Sequence, residues 1–455
     1  PTGTAPIIYV ADGVPATFIT NKGTGGGFTL TGTLTGGTYN IGGTDRGGVW
    51  NEEQEKLFRV SGQNLITLDA DGVTAVLGTI SGSGQASLPY SFNTQAVIAN
   101  GKYWLYDASN GFREVIDVDL GSPIDCVWVD GYYFFTDGSN LYHTDIADES
   151  SINPLKFATS EYSPDPTLGV GLTTDNKVMA FNRYTTEYFT NEANANFAFT
   201  RLPSRNVEIG IVATHAKTKI NGDWYIMGGS KSGDISIFAV GVGTSQNIST
   251  REVNKLISEY TESELSDVVL ESRTVDNYDY LIVHLPDYVL QLNMQVAKAA
   301  GVDQAWSLLT SDPSDTPYRA KNGVFDPRRA DWVYGDKQES ITGYLDDAVA
   351  TQYDANIECI LYTPLTYLES ASIDSLDIQT IPGFNGTDDA TVLLSMTYDG
   401  YNYSMEHTIN YGAPSAYTQR FEAYRLGYVG NFFGLKLRWT NTSRMAFATA
   451  KIGYG

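Results

Sequence analysis

From about Trp50 onward the apolar positions fall in short runs, each introduced by a polar pair whose residues tolerate left-handed backbone. Asn100-Gly101 precedes Tyr103–Tyr106, Asp130-Gly131 precedes Tyr132–Phe135, and Asp175-Asn176 precedes Val178–Phe181. Asn221-Gly222 precedes Trp224–Met227, and Asp276-Asn277 precedes Tyr278–Val283. Two-residue hairpin loops need φ > 0, which Asn, Asp and Gly supply at least cost, so each copy reads as a β-hairpin. Successive copies lie roughly 30–55 residues apart, close to the length of a four-stranded propeller blade. Lys56–Val60 with Asn64–Leu68, and Asp331–Tyr334 with Ile341–Leu345, extend the series. The pattern predicts an all-β chain with a β-propeller of six or seven blades.

Three stretches break that rhythm. Residues 1–48 are rich in Gly and Thr and read as loop or weak edge strand; no buried strand and following helix frame the glycines as a phosphate-binding loop would require. Ser249-Thr-Arg-Glu252 has capping-box spacing, with Val253, Leu256, Ile257 and Tyr260 at helical intervals, and Thr261-Glu-Ser-Glu264 repeats the signal. A helical insertion is therefore expected near 249–266. Around Asp346–Asp354 the blade rhythm stops, and Glu358–Leu365, Thr391–Thr397, Phe433–Trp439 and Ala446–Ile452 alternate as strands of a small β-sandwich. The expected division is a propeller over 49–349 and a C-terminal β-sandwich-like domain over 350–455.

Composition supports this reading. The 455 residues include 30 Tyr, 45 Gly and only 6 Met, a mixture suited to half-buried strands and tight turns. The chain is long enough to require several cores. With 53 acidic against 29 basic side chains the formal charge is −24, so the average surface repels phosphate and anionic membrane. No basic-then-apolar leader follows Pro1, and no apolar run approaches the ~18 residues that span a bilayer, so neither secretion nor membrane insertion is expected.

Candidate chemistry is sparse. Cys126 and Cys359 sit far apart in strand-like runs and read as buried thiols. His143, His215, His284 and His407 lack metal-ligand spacing. His284, followed by Asp287, is the one histidine that invites a His-Asp catalytic reading, but no Gly-x-Ser-x-Gly elbow supplies a nucleophile. Gly228-Gly-Ser-Lys-Ser232 reads as a hairpin turn before the strand Asp234–Phe238. Asp69-Ala-Asp-Gly72 opens like a calcium loop but lacks the third acidic position and the distant glutamate. Thr397-Tyr-Asp-Gly400 resembles the aspartate-centred turn of sialidase-type propellers, and only one such turn is apparent. No catalytic, cofactor or metal residue is assigned.

A more specific resemblance lies in the middle and late segments: Thr186–Phe189, Val253–Thr261, Tyr278–Pro286, Tyr334–Ser340 with Gly343–Leu345, Gln352–Asp354 and Leu361–Leu365. In this order they resemble the packaged-DNA stabilisation proteins, or tail nozzles, of short-tailed bacteriophages, from about Gly47 to the end. The family's proline-containing N-terminal arm is replaced by the Gly/Thr-rich stretch. The resemblance implies a virion structural protein of the tail, assembled in the host cytoplasm and not an enzyme. It also implies a hexameric ring below the adaptor and portal, with a needle or plug beneath, tailspikes around it and double-stranded DNA passing through. The competing readings are a carbohydrate-binding or glycan-hydrolysing propeller and, against the charge, a DNA-binding one.

Overall fold

The computed structural model describes residues 28–29, 31–34, 37–40, 43–146, 148–311, 316–345, 351–352, 355–356, 358–363, 365–380, 390–413, 416, 418–440 and 447–454. Most of the Gly/Thr-rich opening segment lies outside them. The described chain forms two compact units, Phe28–Leu308 with Tyr318–Gly343, and Leu309–Pro317 with Tyr344–Gly455.

The first unit is built on seven antiparallel blade sheets, with a separate two-stranded pair of Thr31–Leu34 and Gly37–Asn40. Blade 1 runs Asp45–Asn51, Lys56–Ser61, Asn64–Leu68 and Thr74–Thr79; blade 2 has three strands, Gln95–Ala99, Lys102–Asp107 and Gly111–Glu114. Blades 3, 4 and 5 begin at Asp125, Thr167 and Lys217, and blade 6 comprises Val269–Val275, Tyr278–His284, Val289–Asn293 and Trp306–Leu309. Blade 7 takes three strands from Ala320–Asp326, Asp331–Asp336 and Ile341–Tyr344, and its fourth from Phe28–Thr29. The first strand of blade 7 also lies beside the first strand of blade 1, which closes the ring. Seven blades therefore settle the six-or-seven expectation, and the closing strand comes from the opposite end of the propeller sequence.

The turn chemistry explains the hairpins. Asn100 and Gly101, Asp130 and Gly131, Asn221 and Gly222, and Asp276 and Asn277 all have positive φ, giving two-residue loops between directly paired strands. The copy at Asp175-Asn176 differs. Only Asn176 is left-handed, and the loop spans Thr173–Lys177, closed by the Thr173 amide donating to the Lys177 carbonyl at 2.9 Å.

Aromatic and β-branched residues then fill the space between neighbouring blades. One such core joins Tyr103, Tyr133, Phe135 and Tyr142 of blades 2 and 3; another joins Met179, Phe181, Tyr188, Ile226 and Val240 of blades 4 and 5. Free Cys126 belongs to the first of these, as expected of a buried thiol.

The expected helical insertion is present, with its cap one residue later than the spacing suggests. Helix α1 spans Arg251–Ile257, and Thr250, not Ser249, accepts the Val253 amide at 3.3 Å. Thr261 and Glu264 form the reciprocal box: the Thr261 amide donates to Glu264 at 2.7 Å, and the Glu264 amide to Thr261 at 3.4 Å. A second helix, α2 (Met294–Ala300), was not expected, although Asn293 caps it through the Gln295 and Val296 amides and Gly301 follows it.

The second unit is a sandwich. A sheet built on Cys359–Tyr362, Phe432–Trp439, Ala390–Thr397 and His407–Gly412, with Thr366–Tyr367 added, accompanies a second sheet of Phe421–Val429, Ala371–Thr380 and Phe447–Tyr454. Their inward positions, among them Ile373, Leu376, Leu394, Phe421, Phe433 and Leu437, form one core.

Candidate functional site at the propeller axis

The inner strands of the propeller bring together charged residues that are remote in sequence. They surround a cavity of about 720 Å³ lined by segments of blades 1, 5, 6 and 7 and by Gln85–Leu88. On one side, Asp45 and Arg59 form a buried ion pair at 2.9 Å, with side-chain exposures of 3% and 0%. Arg59 also donates to the carbonyls of Asn322 at 3.0 Å and Val333 at 3.2 Å in blade 7, while Asn322 Nδ2 donates to Asp45 at 2.7 Å. Burial pushes the Asp45 carboxyl up, and Arg59, Asn322 and the Gly47 amide pull against it.

Glu271 is the second anchor. It accepts the Asn322 and Gly323 amides at 2.5 and 3.1 Å and lies 2.9 Å from His284 Nε2. Burial alone would raise its carboxyl, but His284 and the two amides outweigh burial and bring it down to about 2. Burial, reinforced by Lys337, lowers the His284 imidazole to about 4. His215, half-buried on the cavity wall, is lowered to about 3 by burial and Lys217.

Asp125 is the third. It accepts from Ser87 at 2.6 Å and from the Val170 amide at 2.8 Å, and it pairs with Lys217 Nζ at 2.9 Å, joining four consecutive blades through one carboxylate.

Among the described residues this arrangement joins blades through buried ion pairs and hydrogen bonds. The residues expected at a His-Asp site are not brought together: His284 meets Glu271, whereas Asp287 is exposed and accepts from Tyr260. Neither ring nitrogen of His284 has a hydroxyl or thiol partner. His143 is structural, with Nδ1 2.7 Å from the Thr144 carbonyl and Nε2 accepting the Ala198 amide of blade 4 at 3.1 Å.

The motif-like turns are equally occupied. Asp69 spends its carboxylate on the Asp71 and Val73 amides, and Ser230 accepts the Gly233 amide within a hairpin loop. Asp399 accepts the amides of Tyr401 and Asn402, both at 2.8 Å. That turn is not unique. Asp107, Asp137 and Asp336 anchor the corresponding loops of blades 2, 3 and 7 through amides two and three residues on. The sequence reading missed these because each lacks the Tyr-Asp-Gly wording, while Asp followed by two closely spaced amides is the physical signature. Among the described residues no group of three His, Cys, Asp or Glu is placed to hold a metal ion.

The sandwich contributes a different kind of surface. Tyr362 and Tyr403 meet edge to face at 5.8 Å beside Lys436, whose ammonium lies over both rings. Tyr367 and Phe432 pair similarly at 5.6 Å, and Leu365, Tyr401 and Met405 are also exposed. These exposed aromatic and apolar side chains set the sandwich apart from the charged axis.

Comparison with known proteins agrees with the geometry. A family model described as bacteriophage P22 Gp10, beta-propeller, matches residues 16–350, and one described as bacteriophage P22 Gp10, beta-sandwich, matches residues 358–455. The tail hub protein gp10 of Salmonella phage P22 is 29% identical over 423 residues, covering 89% of this chain and 86% of that protein. Among solved structures, the Pan2 WD40 domain of Neurospora crassa has 8% identity and a TM-score of 0.44, covering 68% of this chain and 91% of its own. Virginiamycin B lyase from Staphylococcus aureus has 11% identity and the same score of 0.44, covering 67% and 95%.

Proposed function

We propose a function from one premise: the chain belongs to the family of bacteriophage P22 Gp10 proteins, and it serves as a structural hub, or nozzle, of a short-tailed phage tail. The observation that carries this is the match of both family models, propeller then sandwich, together with similarity to a tail hub protein along most of both chains. The protein works in the virion tail. Similarity to a structural tail hub protein supports a structural rather than an enzymatic role.

The axis also bears on how DNA would pass. A cavity of about 720 Å³ at the inner strands does not by itself provide a conduit for a duplex. The channel instead runs between copies arranged in a closed ring, for which we infer six. Adaptor and portal would lie above this ring, a needle or plug below and tailspikes around it. A net charge of −24 favours sliding of DNA over adhesion, consistent with sealing the packaged genome and then conducting it. The exposed aromatic face of the sandwich supports the reading of an assembled component.

Electron microscopy and light scattering of the chain, alone and with its adaptor–portal assembly, test the proposal. A ring is expected, and particles lacking the protein should lose packaged DNA. Monomers under every condition would overturn the ring. Release of reducing sugar or selective glycan binding by the isolated chain would favour the carbohydrate reading instead.

A further inference from the structure

The wall of the axial cavity holds hydrogen-bonding groups that the propeller leaves unused. Its charged members are engaged: Glu271 with His284 and two blade 7 amides, Lys217 with Asp125. Among the described residues, however, the His215 imidazole and the Thr218 and Ser272 hydroxyls make no side-chain hydrogen bond. Burial and Lys217 lower that imidazole to about 3, so at neutral pH all three groups are uncharged and can still donate or accept. Trp50, Phe325 and Trp332 add aromatic surface to the same wall. Such a lining, around about 720 Å³, suits a neutral occupant that carries hydroxyl or amide groups and an apolar side chain. Glu52, exposed on this wall, makes no ion pair among the described residues.

The chain carries a segment of this chemistry close by. Phe28 lies on the outermost strand of blade 7, and blade 7 lines the cavity through residues 322–325. The match to the propeller family begins before that strand, at residue 16. Residues 13–21 are uncharged, with Thr17 and Thr20 on either side of Phe18 and Ile19, and Asp12 and Lys22 bracket them. Extended, the chain from Asn21 to Phe28 reaches about 24 Å. The outer and inner strands of blade 7 are three strand spacings apart, about 14 Å. The reach is therefore sufficient.

We propose that residues 16–20 insert into the axial cavity of their own propeller. Phe18 packs on the aromatic wall, the threonines and the main chain meet His215, Thr218 and Ser272, and Lys22 stays at the mouth opposite Glu52. A short tether holds the segment at about millimolar effective concentration, which favours it over a free ligand of equal contacts. An anionic occupant is disfavoured, because the one basic side chain on the wall already has its carboxylate. The insertion ties blade 7 to blades 1, 5 and 6 through a strand-free part of the chain.

The test places a thiol on the wall with Ser272→Cys; native Cys126 and Cys359 are buried. N-ethylmaleimide should modify the introduced thiol at least tenfold more slowly in the full chain than in a chain lacking residues 1–27. Phe18→Asp in the full chain should speed modification as the deletion does, so the result stands even if the shortened chain fails to fold. A synthetic peptide of residues 13–22 should restore protection to the shortened chain. If Ser272→Cys fails to fold, Thr218→Cys gives the same readout. Equal rates in the full and shortened chains, or protection that survives Phe18→Asp, would overturn the proposal. Protection lost on dilution would assign the cavity to a neighbouring copy's segment and overturn insertion within one chain.

Discussion

The Asp45 carboxylate and the Arg59 guanidinium meet at 2.9 Å inside the propeller, and Arg59 continues from there to the main chain of blade 7. The pair therefore sits where blade 1 meets blade 7 and the ring closes. Removing one member strands the other charge, so Asp45→Ala should cost about 3–5 kcal/mol. The double variant Asp45→Leu/Arg59→Met, which leaves no buried charge, should recover a substantial part of that loss. Urea melts of the wild type, Asp45→Ala and the double variant decide it; a double variant no more stable than Asp45→Ala would show that the pair is not coupled.

Mild acid should weaken the propeller through its buried histidines. In the unfolded chain His215 and His284 take up protons near their ordinary pKa of about 6.5. In the fold, burial holds them to about 3 and about 4. Between those limits the unfolded state binds more protons, so stability falls as pH drops from 6.5 toward 4. Glu271, depressed to about 2, adds a further loss only below its unfolded value near 4.5. Denaturant midpoints measured from about pH 7.5 down to about pH 5 should decline, and His215→Gln should flatten the decline. A midpoint constant over that window would contradict the burial of both imidazoles in neutral form.

Two glycines separate close packing from open surface. A Cβ built on Gly228 would stand 1.9 Å from the Gly210 carbonyl oxygen, a main-chain atom that cannot rotate away. Gly228→Ala should destabilise by about 3 kcal/mol or more, as overpacking does when no side chain can yield. Gly84 has nothing within 4 Å, so Gly84→Ala should melt within a degree or so of wild type. Thermal melts of the two variants side by side provide the comparison.

What the chain announces and what it conceals follow from the range of the interactions. Asn100-Gly101 and Asp276-Asn277 reveal hairpins because left-handed backbone is a local demand that few residues meet. The propeller and sandwich follow from the same local signals. The axis does not, because Asp45 and Asn322, or Glu271 and His284, become neighbours only once the blades have closed, and a lone acid or amide in a strand carries no motif. His284 stood out for its nearby Asp287, yet strand pairing placed Glu271 against it instead. The short helix α2 escaped notice because its sequence, Met294–Ala300, follows a strand without a turn, and Asn293 serves both elements.

The closing strand is the least local element of all, and its contribution can be isolated. Phe28 pairs with Thr342 and Thr29 with Ile341, so the outermost strand of blade 7 is supplied from the far end of the propeller sequence. Without it, Ile341–Tyr344 becomes an open edge, and the ring is fastened by the inner-strand contacts and the Asp45–Arg59 pair alone. Deleting residues 1–27 keeps this strand, whereas deleting residues 1–30 removes it. The shorter chain should melt several degrees lower than the longer one and exchange the amides of Ile341–Tyr344 faster, while blade 4, far around the ring, exchanges as before. Equal exchange at Ile341–Tyr344 in the two truncations would mean that inner-strand packing closes the ring unaided. Because the truncations differ by only three residues, the comparison reports the strand itself and not the loss of the preceding segment.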